Sequence, residues 1–302
     1  MEQYTHLINL IGLNAILALS LYTTLSCGML SLSNAASAAV GAYTAALLTT
    51  NAGWPLWPAV IVGASAAGLV ALALGIPVLR LRGVFLAIAT IGLGEVVRII
   101  IINIDALGGS QGFRTNIGPS SATVGFWEIY AVLVVLAFFF SRLKGSRMGL
   151  ALEAIREDES AARTTGINVT FYKVTAYVIG ASIAGVAGAL AAHELPFIFP
   201  GDFGFQRAVD VLVFAVVGGA FAWRGCILGA VIVTILPEVI RRIPVTAGIE
   251  VKDYPEIFSG LILLAIILFL PNGLLSIVRR PKPKAQSPTS SQPPSTFEPS
   301  NL

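Results

Sequence analysis

Charge is what this sequence has least of. Only 12% of its 302 residues are Asp, Glu, Lys or Arg, against roughly 25% in soluble domains, and the mean hydropathy is +0.83. A water-soluble globular domain is thereby excluded. Histidine is nearly missing: His6 and His193 stand far apart and no H-E-x-x-H occurs, which leaves a metal hydrolase no ligand set. The two cysteines, Cys27 and Cys226, lie in or beside apolar stretches without metal-ligand spacing, and read as small buried hydrophobes. No G-x-x-x-x-G-K-[ST] loop is present, so the chain does not itself hydrolyse ATP. Its Ser and Asp residues show no triad logic. No catalytic residue, metal ligand, cofactor or nucleic-acid partner is expected.

What the chain does have is a succession of apolar runs. About 20 such residues cross a hydrocarbon core about 30 Å thick. Candidates fall at 7–25, 28–50, 56–79, 83–102, 123–140, 173–192, 208–222, 225–240 and 255–278. The expected fold is therefore an all-α integral membrane protein, a polytopic helical bundle of about eight to ten transmembrane segments with broken or re-entrant helices. Two runs are interrupted: 28–50 by Ser31, Ser33, Asn34 and Ser37, and 208–240 at Gly218-Gly219 and again at Trp223-Arg224-Gly225. The first run lacks the basic leader of a cleaved signal and is expected to remain. One transmembrane domain is expected over 1–280, with a polar loop at 140–172. A tail at 281–302, rich in Pro, Ser and Thr, should be disordered.

Lysine and arginine give the orientation. Arg80 and Arg82 flank one span; Arg142, Lys144, Arg147, Arg156, Arg163 and Lys173 fill one loop; Arg279, Arg280, Lys282 and Lys284 follow the last run. The positive-inside rule makes these three regions cytoplasmic. Loops 103–122, 193–207 and 241–254 then face outward, although Arg241 and Arg242 sit at the edge of the last. The side of the N-terminus depends on whether 28–50 crosses fully.

The densest polar stretch is EAIREDESAARTTGIN, residues 153–168. Leu152, Ile155 and Ala162, with Ala151, form one apolar stripe; Glu153, Arg156, Glu157, Ser160, Arg163 and Thr164 form the opposite face. Gly166 suits the position after a helix end, where the backbone turns left-handed. Asp158 alternatively caps a second short helix beginning at Glu159. Four acids against two arginines argue against a lipid-binding helix, which favours Lys and Arg. A protein partner fits better.

Charge inside the spans is rare and therefore informative. Glu95 and Arg98 are three apart on one helix face, and an ion at mid-membrane costs roughly 2.5–3.5 kcal/mol on insertion scales, so the two are expected to pair with each other. A role for Glu95 at a gate is the alternative. Asp210, and Glu238 with Arg241, are read as structural. Small residues recur four apart at Ala181/Gly185, Ala184/Gly188, Ala35/Ala39 and Ala38/Ala42, as close helix packing requires. Breaks at Ser33-Asn34 and Gly218-Gly219 offer helix ends to a zwitterionic solute. Residues 193–207, HELPFIFPGDFGFQR, are too irregular to cross lipid and read as a re-entrant or outward surface loop.

GLALEAIREDESAARTTGIN followed by YKVTAYVIGASIAGVAGAL resembles the LivM-type permeases of branched-chain amino-acid ATP-binding-cassette importers. LSLSNAASAAVGAYTAALL at 30–48, LRLRGVFLAIATIGLGEVVR at 79–98, GGSQG at 108–112 and LFLPNGLL at 268–275 agree with that family and stand in the same order. The chain departs from it at Ser33-Asn34, where a Gly-His pair is common. The resemblance implies that residues 150–166, with Glu153, Ala154, Arg156, Glu157, Asp158, Ala162 and Gly166, form a coupling helix seated in an ATPase cleft. It further implies a LivH-like second permease subunit, two ATPase subunits, an extracytoplasmic solute-binding protein and uptake of branched-chain or other neutral amino acids by alternating access. Ser33, Asn34, Glu95, Gly108, Gly109, Gly218 and Gly219 are the candidates for the substrate path. An ion-coupled secondary transporter working through Glu95 or Asp210 is the competing reading.

Overall fold

A computed structural model describes residues 2–81, 83–115, 122–242 and five positions between 260 and 269. The ten α-helices among them are α1 (Glu2–Leu25), α2 (Asn34–Ala52), α3 (Leu56–Val78), α4 (Val84–Ile102), α5 (Ala122–Lys144), α6 (Arg147–Glu157), α7 (Glu159–Thr164), α8 (Val169–Glu194), α9 (Phe205–Gly218) and α10 (Trp223–Arg242). Six of them, α1, α3, α4, α5, α8 and α10, are long and apolar enough to cross a membrane. The expected run at 255–278, the motif at 268–275, the loop at 243–254 and the tail lie largely or wholly outside the described residues.

Helix α2 sits at the centre. Alanines 35, 36, 38, 39, 42, 45 and 46 are all buried around it, against α8 on one side and α3 on another. Only small residues permit this, since hydrocarbon gives apolar helices no reason to associate beyond close contact. At Gly41 an added Cβ would run into the backbone of Gly185, and at Gly188 into the carbonyl of Ala38. Along α3, Gly63 meets the Gly41 carbonyl and Gly75 faces the ring of Tyr177. Of the small-residue pairs read from the sequence, Ala38, Gly185 and Gly188 lie in the α2–α8 seam, while Ala35 packs with Ala87 of α4 and Ala208 of α9.

The break expected within 28–50 is a non-helical segment, 29–33, ahead of α2. Non-helical backbone at membrane depth must be enclosed by protein and hydrogen-bonded, and this segment is. Met29 N–H donates to Thr24 O at 3.1 Å, and Leu32 N–H to Thr90 Oγ1 at 3.0 Å. The break within 208–240 is a hairpin: α9 ends at Gly218, Gly219 turns with φ 113°, and α10 runs back with Gly225 and Gly229 against the backbone of α9.

One end of the bundle gathers the basic residues, including Lys144, Arg156, Lys173 and Arg224, together with the α9–α10 turn; by the positive-inside rule it is cytoplasmic. At the opposite end Asn9 Nδ2 donates to Glu194 Oε1 at 2.8 Å, which puts the first turns of α1 outside. There too residues 113–114 (β1) pair antiparallel with 197–198 (β2), Phe113 opposite Ile198. The two outward loops are thereby stitched together, a long-range pairing that neither loop's sequence announces.

Candidate coupling element and membrane groove

The polar stretch is two helices, the second of the two arrangements the sequence allows. Ser146 caps α6, accepting from Gly149 N–H at 3.2 Å. The helix stops where Asp158 turns extended and its Oδ1 accepts from Ser160 and Ala161 N–H at 2.8 and 3.0 Å, opening α7. At the far end Gly166 N–H bonds Arg163 O and Ile167 N–H bonds Ala162 O, both at 3.1 Å. That is the double bond pattern of a left-handed helix stop, and Gly166 holds φ +85° with open space around its Cα.

The apolar stripe faces the bundle as expected. Leu152 packs with Cys27, Met29, Ala176 and Tyr177; Ile155 and Ala162 pack with Val169, with Ala154 against them. On the other face Glu153 and Glu157 are exposed. Arg156 bridges them, at 3.3 and 2.8 Å, with only 20% of its side chain accessible. Its guanidinium also lies over the ring of Phe221, 5.0 Å from the centroid, in the turn that joins α9 to α10. Glu159 holds α7 in place, bonding Arg163 and, across to the first turn of α8, Lys173, each at 2.7 Å. The element therefore touches α8, the residues just after α1 and the α9–α10 hairpin at once.

The substrate-path candidates are dispersed. Ser33 and Asn34 are buried and satisfied: Ser33 Oγ shares a 2.8 Å hydrogen bond with Tyr177 Oη, and Asn34 donates to Ser20 Oγ at 2.8 Å. Their neighbours Leu32, Ala35 and Ala36 instead floor a narrow groove between α4 and α9, whose wall includes Glu95. Glu95 pairs with Arg98 at 2.7 Å, and its other oxygen accepts from Phe205 N–H at 3.3 Å, capping α9. Gly218 and Gly219 lie at the opposite end of α9, closed against α10. Gly108 and Gly109 stand in the outer loop between α4 and β1, both at positive φ.

Sequence reasoning passed over Arg207. It reaches from α9 to Asn14 Oδ1 on α1 at 2.7 Å, and Asn14 in turn donates to Thr234 Oγ1 on α10 at 2.9 Å. Three helices are locked by one buried polar chain. The pairing of an arginine in a loop-like segment with an asparagine 193 residues away had no local signal.

A bundle of apolar helices, broken at two places and bearing an amphipathic helix pair at one end, is the architecture of a polytopic membrane protein. Residues 3–269 match the family described as branched-chain amino acid transport system / permease component, and the chain belongs to that family. It is 32% identical over 300 residues to the high-affinity branched-chain amino acid transport system permease protein LivM of Salmonella typhimurium, covering 89% of this chain and 67% of that protein. The match to LivM of Escherichia coli has the same extent. LivH of Salmonella typhimurium is 28% identical over 169 residues, 56% of this chain and 51% of LivH. No solved structure matches it significantly. The protein is a multi-pass plasma-membrane subunit of an ATP-binding-cassette importer, with ATP hydrolysis left to separate subunits.

Proposed function

We propose that α6 and α7 are the handle by which a separate ATPase works this permease, and that the pair of permeases imports branched-chain or other neutral amino acids by alternating access. The single observation behind this is the double attachment of α6–α7: apolar side chains anchored in the bundle, charged side chains presented outward, and Arg156 in contact with the α9–α10 turn. A helix pair so fixed moves with the bundle rather than around it. Closure of the ATPase dimer on ATP would draw the two handles together. The α9–α10 hairpin, zipped by its glycines, would follow as one piece and alter the groove at the start of α9. Selectivity and delivery belong in this reading to an extracytoplasmic solute-binding protein, and the transmembrane domain over 1–280 needs a LivH-like partner to complete it. Glu95 serves as a cap that sets the α4–α9 spacing.

Gly166 tests the handle. A left-handed backbone costs a β-branched residue about 1–2 kcal/mol, whereas Asn adopts it readily. Because nothing lies within 4 Å of the Gly166 Cβ position, the penalty is conformational only. Gly166→Val should insert normally and lose most ATPase in detergent co-purification; Gly166→Asn should retain it. Equal ATPase recovery from Gly166→Val and wild type would refute the assignment.

A further inference from the structure

Among the described residues several helices leave a lateral face poorly covered, and two of those faces, on α5 and on α4–α9, differ in chemistry. On α5, between Glu128 and the polar cytoplasmic end at Ser141, Arg142 and Lys144, the exposed residues are Ala131, Val134, Val135, Phe138 and Phe139. Every one is apolar, and lipid satisfies such a face. The α4–α9 face is mixed. The Glu95–Arg98 pair is one-third exposed, 34% and 32% respectively. Gln206, the residue after the Phe205 whose N–H bonds Glu95, is exposed and donates through Nε2 to Asp210 Oδ1 at 3.2 Å.

Depth decides what can lie against that face. Glu95 bonds the first N–H of α9, so the two are level, and Asp210 lies five residues further along a helix that runs inward. At 1.5 Å per residue this is about 7.5 Å deeper, and Glu95 is itself two turns below the outer end of α4. Hydrocarbon there would confront the Asp210 carboxylate, held by one side-chain amide and the charge of Arg207, and the Arg98 guanidinium, whose remaining N–H groups have fixed directions. Gly92, one turn before Glu95 and with nothing within 4 Å of its Cβ position, leaves a shallow step for a neighbouring helix.

We infer that the α4–α9 face, around Gly92, Glu95, Arg98, Gln206 and Asp210, is where the second permease bundle seats, while the α5 face meets lipid. The inference rests on the permease-pair reading above and adds the surface to it. The occupant is a homologous helical bundle because this chain is similar to both LivM and LivH. Two related bundles can oppose equivalent faces about an approximate twofold axis, which brings polar patch to polar patch. Seated there, the partner also roofs the groove over Leu32, Ala35 and Ala36.

The test places photoreactive benzoylphenylalanine at Val96, Gln206 or, as the comparison, Val135, in the full chain co-expressed with the LivH-like permease and ATPases of its host. All three positions are exposed, so insertion should be unchanged. Irradiated membranes should yield adducts of Val96 and Gln206 positions with the second permease, identified by mass spectrometry, and lipid adducts alone from Val135. Lipid-only adducts at both α4–α9 positions, permease adducts from Val135 alone, or adducts joining two copies of this chain would overturn the inference. ATPase co-purification from the same membranes is the separate readout: its retention beside failed crosslinks sinks the seating face only, and its loss sinks the coupling reading instead.

Discussion

Gly188→Leu should leave no stable protein to purify. The α2–α8 seam has no slack there: even the first added carbon would enter the space of the Ala38 carbonyl and crowd its Cα. The obstacle is backbone of a helix that is itself enclosed, so relief requires α2 and α8 to separate. Overfilling a close-packed interior costs typically 1–3 kcal/mol and more where backbone must shift, and here the separation would also expose the non-helical 29–33 segment and the Ser33–Tyr177 hydrogen bond. Gly188→Ala should already lower the melting temperature of the purified chain measurably. Gly92→Ala, where an added carbon meets nothing, should leave it unchanged or raise it slightly, because Gly is a poorer helix former than Ala by about 1 kcal/mol. A Gly188→Leu protein as stable as wild type would mean that α2 and α8 do not cross as described.

The second large effect concerns transmission rather than folding. Arg156→Ala removes the cation shared by Glu153 and Glu157 and the contact with Phe221 at one stroke. A cation over an aromatic ring contributes about 0.5–2 kcal/mol, and the arginine stem also packs beside Gly28, whose added Cβ would meet the Arg156 Cα at 3.4 Å. Expected is a chain that inserts and retains an ATPase subunit that still hydrolyses ATP, yet a complex that takes up substrate about tenfold more slowly, since a coupling loss near 1.4 kcal/mol is one decade. Phe221→Ala should reproduce the uncoupling while leaving both glutamates paired. If Phe221→Ala transports normally, the hairpin is not driven through this contact.

Much of the bundle was legible because lipid imposes a length and a composition on every crossing. Eight of the nine apolar runs correspond to described helices, with ends shifted by a few residues, and the breaks at Ser33-Asn34 and Gly218-Gly219 are real interruptions. What those breaks do was not legible. Ser33 and Asn34 point into the core because Tyr177 and Ser20, 144 and 14 residues away, complete their hydrogen bonds, and nothing local to residue 33 records that. Gly218 serves a hairpin because Gly225 and Gly229 follow it at the right distance, a packing solution that reads like a hinge in one dimension. The Glu95–Arg98 pair was plain from spacing; its second task, capping α9 at Phe205, depends on a helix start 110 residues away. In α6–α7 the amphipathic stripe and the helix stop at Gly166 followed from the chain alone, while the choice between one helix and two turned on the Asp158 side chain.

The central claim is that α6–α7 is the handle of a separate motor. It is tested most directly by placing a photoreactive residue at Glu157, 72% exposed on the outward face, and irradiating transporting membranes with and without ATP. The account predicts an adduct with the ATPase subunit whose yield changes with nucleotide. Adducts that never include an ATP-binding subunit, in membranes that still accumulate amino acid, would contradict it.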